Sequence, residues 1–274
     1  MNQSEKSELF RKLHERPRIF AIPNPWNAGS AKMLSSLGFE ALATTSAGLA
    51  FSIGKSDGTG SISREEMLEN AKVIVNASSL PVSADLENGY GHDPSACEET
   101  ILMAAQTGLC GGSIEDTTGN PADPILPFEL SVERVKAAVK AARSLPFHFM
   151  LTARAENLIY GRPDLKDTIR RLEFYADAGA DVLYAPGLKT KEDILTVVKA
   201  VSPKPLNVVM GLNSANFSMV MLEDLGVRRV SVGSTLARAA YGAFLKVAEQ
   251  IKNDGTFEFA ADIVSYAKIN AIFK

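Results

Sequence analysis

Asp85 and Glu87 stand two residues apart in the stretch Ser83-Ala84-Asp85-Leu86-Glu87-Asn88-Gly89-Tyr90-Gly91-His92, directly after the apolar run Leu80-Pro81-Val82. In an extended strand, residues i and i+2 point to the same side. Both carboxylates are therefore expected to converge where that strand ends. Two carboxylates held close repel each other unless a proton or a cation lies between them. An all-oxygen donor set suits Mg²⁺, with Mn²⁺ as the alternative, better than zinc. The competing reading is a pair of solvated loop acids. A glycine-containing turn follows, and Asp93-Pro94 then opens a helix, with proline at the first helical position.

These acids need a framework, and the chain is long enough to supply one. Its 274 residues are 46% hydrophobic and 22% charged, the composition of an ordinary globular protein, and the length allows a large core. A net charge of −3 argues against a nucleic-acid partner, and no basic tract suits a membrane surface. No apolar run is long enough to span a bilayer. Residues 1–15 are polar and lack the apolar centre of a leader peptide, so a cytoplasmic location is expected. Cys97 and Cys110 read as small buried residues rather than a disulfide.

Eight short apolar runs recur along the chain: 18–22, 41–44, 81–84, 112–114, 149–153, 182–185, 206–209 and 229–232. Most are continuously apolar, as parallel strands covered on both faces are. Helical patterns separate them. Ser63-Arg64-Glu65-Glu66 is a capping box, Ser131 precedes an apolar-periodic stretch, and Ser214 is expected to start the helix that runs to Leu225. Gly38, Gly108, Gly179 and Gly226 mark helix ends. Three of those ends repeat one phrase, helix–Gly–strand. Eight such units in one domain, residues 1–274, predict a (β/α)₈ TIM barrel, with about 253–274 as a C-terminal helical tail. A doubly wound sheet is the alternative, but no GxGxxG follows the first strand.

In a barrel, chemistry belongs at the C-terminal strand ends. There the sequence places Pro23-Asn24-Pro25-Trp26-Asn27 after strand one, Thr44-Thr45-Ser46-Ala47-Gly48-Leu49 after strand two, Asp85 and Glu87 after strand three, Glu115-Asp116 after strand four, Arg154-Ala155-Glu156-Asn157 after strand five, Asn207 on strand seven and Gly233-Ser234 after strand eight. Several acids around one arginine suit a divalent metal beside an anionic substrate, and Arg154 can hold a carboxylate through a two-pronged contact. Tyr160 and Tyr184 are candidate pocket residues. His92 reads as flanking a helix cap and His14 and His148 as structural. Gly233-Ser234 could bind a phosphate, although Ser234 is more simply an N-cap.

The whole chain resembles the isocitrate lyase/phosphoenolpyruvate mutase superfamily, in its short mutase-like branch. The resemblance rests on Pro23-Asn24-Pro25-Trp26-Asn27-Ala28, Thr44-Thr45-Ser46-Ala47-Gly48, the stretch from Ser83 to His92, Gly111-Gly112-Ser113-Ile114-Glu115-Asp116, Thr152-Ala153-Arg154, 175–181 and Arg229-Val230-Ser231-Val232-Gly233. It implies a barrel whose last helix is exchanged between subunits, in a homotetramer built as a dimer of helix-swapped dimers. It also implies that Asp85 binds Mg²⁺ directly, while Asp57, Glu87 and Glu115 hold the metal's waters. Ser46 and the backbone near Ala47 and Gly48 would bind the substrate carboxylate. Arg154 would pair with that carboxylate or with a developing enolate, and Asn207 would line the site.

The resemblance also has gaps. Lyases of this superfamily carry a Lys-X-Cys-Gly-His loop after strand four, and the phosphonate enzymes use a lysine there. Here 116–124 reads Asp-Thr-Thr-Gly-Asn-Pro-Ala-Asp-Pro. The expected activity is C–C cleavage or decarboxylation of a small 2-oxo or 2-hydroxy (di)carboxylate through an enolate. The alternatives are a phosphorus–carbon bond enzyme of the mutase or phosphonopyruvate hydrolase type, a phosphate-ligand barrel, and a catalytically silent relative. Residues 116–127, polar and rich in proline, are expected to form a mobile lid without packing of its own. The apolar residues from Phe257 to Phe273 are expected to form a helix that docks on another subunit.

Overall fold

The computed structural model describes residues 1–58, 60–211 and 217–274. Its elements alternate along the chain: α1 (Gln3–Glu15), β1 (Phe20–Ile22), α2 (Ala28–Ser36), β2 (Leu42–Ala43), α3 (Ser46–Ser52), α4 (Arg64–Asn76), β3 (Val82–Asp85), α5 (Pro94–Gln106), β4 (Gly111–Glu115) and α6 (Phe128–Ser144). The second half continues with β5 (Met150–Arg154), α7 (Leu165–Asp177), β6 (Val182–Tyr184), α8 (Lys191–Val201), β7 (Leu206–Val209), α9 (Met219–Asp224), β8 (Arg229–Ser231), α10 (Thr235–Asp254) and α11 (Tyr266–Phe273). Each of the eight predicted apolar runs contains or overlaps one strand.

All neighbouring strands are parallel, in the order β1-β8-β7-β6-β5-β4-β3-β2. The remaining seam is bridged where Ala43 N–H donates to Pro23 O at 3.1 Å. The molecule is a (β/α)₈ barrel. Strand alternation sorts its side chains. Leu151, Ala153, Leu183, Leu206, Val208 and Val230 face outward into the helix-packed core. Thr152, Arg154, Tyr184, Asn207, Arg229 and Ser231 face the interior, so one period-2 pattern supplies both the core and the site. Phe10 and Leu13 of α1 pack with Phe20, Ile22, Met150 and Val182 to close the N-terminal end.

Local signals explain the helix limits. Ser63 Oγ accepts from Glu66 N–H and the Glu66 carboxylate accepts from Ser63 N–H, which is the capping box expected there. Gly38, Gly108, Gly179 and Gly226 all take positive φ just past a helix. At Gly179, φ is 102°, and a Cβ there would also sit 3.0 Å from Val139 Cγ1. Both cysteines are free and buried.

Residues 3–15, left without an element in the sequence reading, form a helix started by a capping box between Asn2 and Glu5. The structure departs from the sequence reading in three places. Helix α6 begins at Phe128, ahead of Ser131, because Pro127 already sets the turn. The expected Ser214 start lies outside the described residues, and α9 begins after Ser218, whose hydroxyl accepts from Met221 N–H. The tail is not one helix: Gly255 ends α10 at φ 65°, a 3₁₀ turn spans Glu258–Ala261, and α11 restarts after the Ser265 cap. Among the described residues no helix is long and apolar enough to cross a membrane.

Candidate active site

Arg154 ends β5 and gathers the acids. Its Nη1 lies 3.0 Å from Asp85 Oδ1 and 2.9 Å from Glu115 Oε1, and its Nε lies 2.7 Å from Glu156 Oε1. The guanidinium also stacks over the Tyr184 ring, 4.7 Å from its centroid. Register places this cluster: Glu115 pairs with Arg154 across β4–β5, and Arg154 pairs with Tyr184 across β5–β6. Asp85 is held from β2 as well. Ser46 Oγ donates to Asp85 Oδ2 at 2.9 Å, and Asp85 N–H donates to Thr44 Oγ1 at 3.0 Å.

Three carboxylates face one guanidinium, so the cluster carries excess negative charge. Burial opposes the charge of Arg154, but Glu115, Glu156 and Asp85 together hold its pKa well above the usual value. Burial pushes Glu115 well up against the pull of Arg154, and Glu156 to about 7. Asp57 stands on an exposed loop, yet partial burial of its carboxyl and the Asp85 charge push it up. Burial, Asp85 and Asp57 push Glu87 to about 7. An all-oxygen set with surplus charge fits a divalent cation. Among the described residues no three acids, histidines or cysteines approach closely enough to hold an ion unaided. A cation here would take one direct carboxylate, with the other acids acting on its waters.

The sequence-predicted residues divide into three groups. Ser46, Ala47, Asp57, Asp85, Glu115, Arg154 and Asn207 line one cavity of about 290 Å³ at the C-terminal mouth. Glu87 lines an adjoining cleft, which shares Ser46, Asp57, Glu115 and Tyr160 with that cavity. The i, i+2 argument does not place Glu87, because β3 stops at Asp85 and Glu87 itself adopts φ 46°. Its loop is clamped by buried Arg134 of α6, which donates to the carbonyls of Gly91, His92 and Asn88. Gly48 stands apart from the cavity. Its N–H donates to Thr45 Oγ1 at 3.2 Å, and a Cβ would lie 2.5 Å from Thr45 Cγ2, so its role is to let α3 start tightly. Ser234 occupies the N-cap position of α10 but makes no side-chain cap bond.

Two strand-end acids stood in the sequence reading without a role. Glu156 is 1% exposed and partners Arg154 from two residues away. Asp116 is buried, with Oδ1 accepting from Glu156 N–H at 2.8 Å and Oδ2 from Arg171 Nη1 at 3.0 Å and Tyr175 OH at 2.8 Å. Asp116 thus roots the segment after β4 and ties Arg171 and Tyr175 of α7 to Glu156. That segment is not structureless. Thr117 pairs with Ile125 in an antiparallel bridge, and Ile125 and Leu126 are buried. The tip, 119–123, is exposed between these buried roots, so the expected lid is a pinned flap.

Known proteins share this architecture and order of elements. The family model for phosphoenolpyruvate phosphomutase matches residues 10–252. A candidate lyase/mutase from Burkholderia cenocepacia J2315 is 55% identical, with a TM-score of 0.96 over 99% of this chain and 96% of that one. The 2-methylisocitrate lyase of Shewanella oneidensis is 30% identical over 96% of this chain and 93% of its own length. A 2,3-dimethylmalate lyase, itself a PEP mutase/isocitrate lyase superfamily member, is 26% identical with a TM-score of 0.87, covering 98% of this chain and 94% of that one. The chain belongs to the phosphoenolpyruvate mutase family within the isocitrate lyase/PEP mutase superfamily, and is an enzyme of the lyase and mutase type that acts on C–C or P–C bonds.

Proposed function

We propose that the protein is a Mg²⁺-dependent lyase or decarboxylase that cleaves a C–C bond in a small 2-oxo or 2-hydroxy dicarboxylate through an enolate. The observation that carries this reading is Arg154 surrounded by Asp85, Glu115 and Glu156 beside Ser46 at the barrel mouth. Asp85 would hold the cation, with Asp57, Glu87 and Glu115 on its waters; Mn²⁺ would serve in its place. When bound, the cation supplies Lewis-acid polarisation of the substrate's oxygen. The protein's own groups do the rest. Ser46 and the start of α3 receive the substrate carboxylate, where N–H groups at a helix N-terminus favour an anion. Arg154 is fixed by three acids and Tyr184, so it meets developing negative charge without reorganising. The pinned flap excludes water above the site.

A phosphorus–carbon enzyme is the second reading, favoured by the family model that matches the chain. Against it, 116–124 contains no lysine, the residue that the resemblance assigns to that chemistry. Titration calorimetry with Mg²⁺ tests the metal assignment. Asp85→Ala is expected to abolish Mg²⁺ binding and leave the fold intact, since it removes one rim acid. Unchanged Mg²⁺ affinity in that variant would refute the assignment. A screen of 2-oxo acids and phosphonates for pyruvate release separates the two chemistries.

A further inference from the structure

Arg229 projects from β8 into the barrel and is 5% exposed. Its Nε donates to Asn207 Oδ1 at 2.8 Å and its Nη2 to Thr152 Oγ1 at 3.0 Å, while Nη1 lies 3.3 Å from His14 Nε2. All three partners are neutral. His14 donates its Nδ1–H to Phe10 O at 2.8 Å, which leaves Nε2 as an acceptor, and burial beside Arg229 pushes its pKa down to about 3. Among the described residues no carboxylate lies within 4.0 Å of Arg229. Thr59 and 212–216 carry no acid either. Arg154, by contrast, has three acids within 3.0 Å.

A buried charge without a partner is expensive to keep, and folded proteins hold one where something else supplies the counter-charge. Burial, and more weakly the neighbouring Arg154, push Arg229 down to about 9 against a smaller opposing pull from Tyr184. Arg229 lines the same cavity as Asp85 and Arg154, below apolar walls that include Ile22 and Val209. A guanidinium carries five N–H groups, and three contacts leave two to spare. Asn207 has both amide atoms engaged, one with Arg229 and the other with Ser231 Oγ at 3.0 Å. Its role is therefore to orient the guanidinium rather than to meet the ligand.

We infer that Arg229 is the counter-charge for a second anionic group of the ligand, so that the cavity selects dicarboxylates over the matching monocarboxylates. This rests on the reading that Ser46 and the start of α3, beside Arg154, receive the first carboxylate. Malate and lactate share a 2-hydroxy acid head and differ by the distal carboxylate, which makes them a matched pair. Calorimetric titration of the Mg²⁺-loaded protein is expected to show malate binding at least ~30-fold more tightly, the usual scale for a desolvated charge pair. Arg229→Met is expected to shrink that advantage to within about threefold while leaving lactate binding unchanged, and Arg229→Lys to restore part of it. Should Arg229→Met misfold, Ser231→Asp places a carboxylate beside an intact Arg229, and is expected to remove the malate advantage in a folded protein. Persistence of the advantage in either folded variant overturns the inference. Equal binding of both acids by the parent overturns it too and leaves the mouth site standing. Binding of neither overturns the mouth site and this inference with it.

Discussion

Arg154 meets its surroundings through Nε, Nη1 and the flat face of its guanidinium, so its charge alone does not define its work. Oxalate, a planar mimic of an enolpyruvate, is expected to inhibit competitively. Arg154→Ala should weaken oxalate by ~2–5 kcal/mol. Arg154→Lys should restore little, because a single ammonium cannot span two acids and stack on Tyr184. Inhibition constants for the three proteins check this, and wild-type oxalate affinity in Arg154→Ala would remove Arg154 from the site. His14 leads to a stability prediction. Its folded pKa of about 3 lies below the ordinary 6.5, so between those values the unfolded chain binds a proton that the folded chain does not. Stability is therefore lost as pH falls below about 6.5, by about 1.4 kcal/mol per pH unit from this group. Urea unfolding at pH 7.5 and pH 5 should show a smaller drop for His14→Gln than for the parent; equal drops would contradict the buried neutral tautomer. At this scale much of the candidate site was legible. Ser46, Asp85, Glu115 and Arg154 stand at strand ends, where type and position together speak. Arg229 was not, because a cation in an apolar run reads as a strand boundary until its partners are known.

The flap after β4 shows what an element adds to its residues. From composition it reads as an open lid, since 116–127 holds Gly119 and three prolines and few apolar residues. In the fold, Asp116 at one root and Ile125-Leu126 at the other are buried, and Arg162 reaches Asp123 at 2.7 Å across the mouth. The strands were legible because continuous apolar runs and helix–Gly–strand phrases are local signals. The flap's anchoring was not, because its partners Arg171 and Tyr175 lie more than forty residues away in sequence. The flap has no cysteine, lysine or histidine, and its two aspartates, Asp116 and Asp123, are ion-paired with Arg171 and Arg162, which leaves the hydroxyl and amide groups of Thr117, Thr118 and Asn120 to meet a ligand. Decarboxylation of oxaloacetate-like acids is therefore expected, with little cleavage of methylisocitrate. Coupled assay of pyruvate and succinate release decides it: efficient methylisocitrate cleavage would mean that a flap acid is unnecessary.

At the scale of the whole molecule, α10 touches its own barrel through its first two turns, where Leu236 packs on the core and Tyr241 meets Trp26, and leaves the rest uncovered. Of its twenty residues only Ala237, in the first turn, is buried. Phe244, Leu245 and Ile251 are 68%, 56% and 41% exposed, and Phe257, Ile263, Val264 and Tyr266 beyond it are more than half exposed. Phe244 and Ile251 lie seven residues apart, two turns along one face, the spacing of a stripe that packs against something. A monomer leaving so much apolar surface in water would be prone to association. The proposed cover is a second copy of the chain, related by a two-fold axis so that each barrel would receive the other's helix, and two such dimers would make the tetramer that the family resemblance implies. Light scattering should then give a mass near four times the 29.4 kDa of one chain. Phe244→Glu combined with Leu245→Glu should lower that mass by placing charges in the seam. The same change should lower the thermal midpoint and weaken its dependence on protein concentration, because association contributes to stability by mass action. A parent protein that scatters as a monomer at micromolar concentration, with a midpoint independent of dilution, would leave α10 without a partner copy and require another cover for its apolar face.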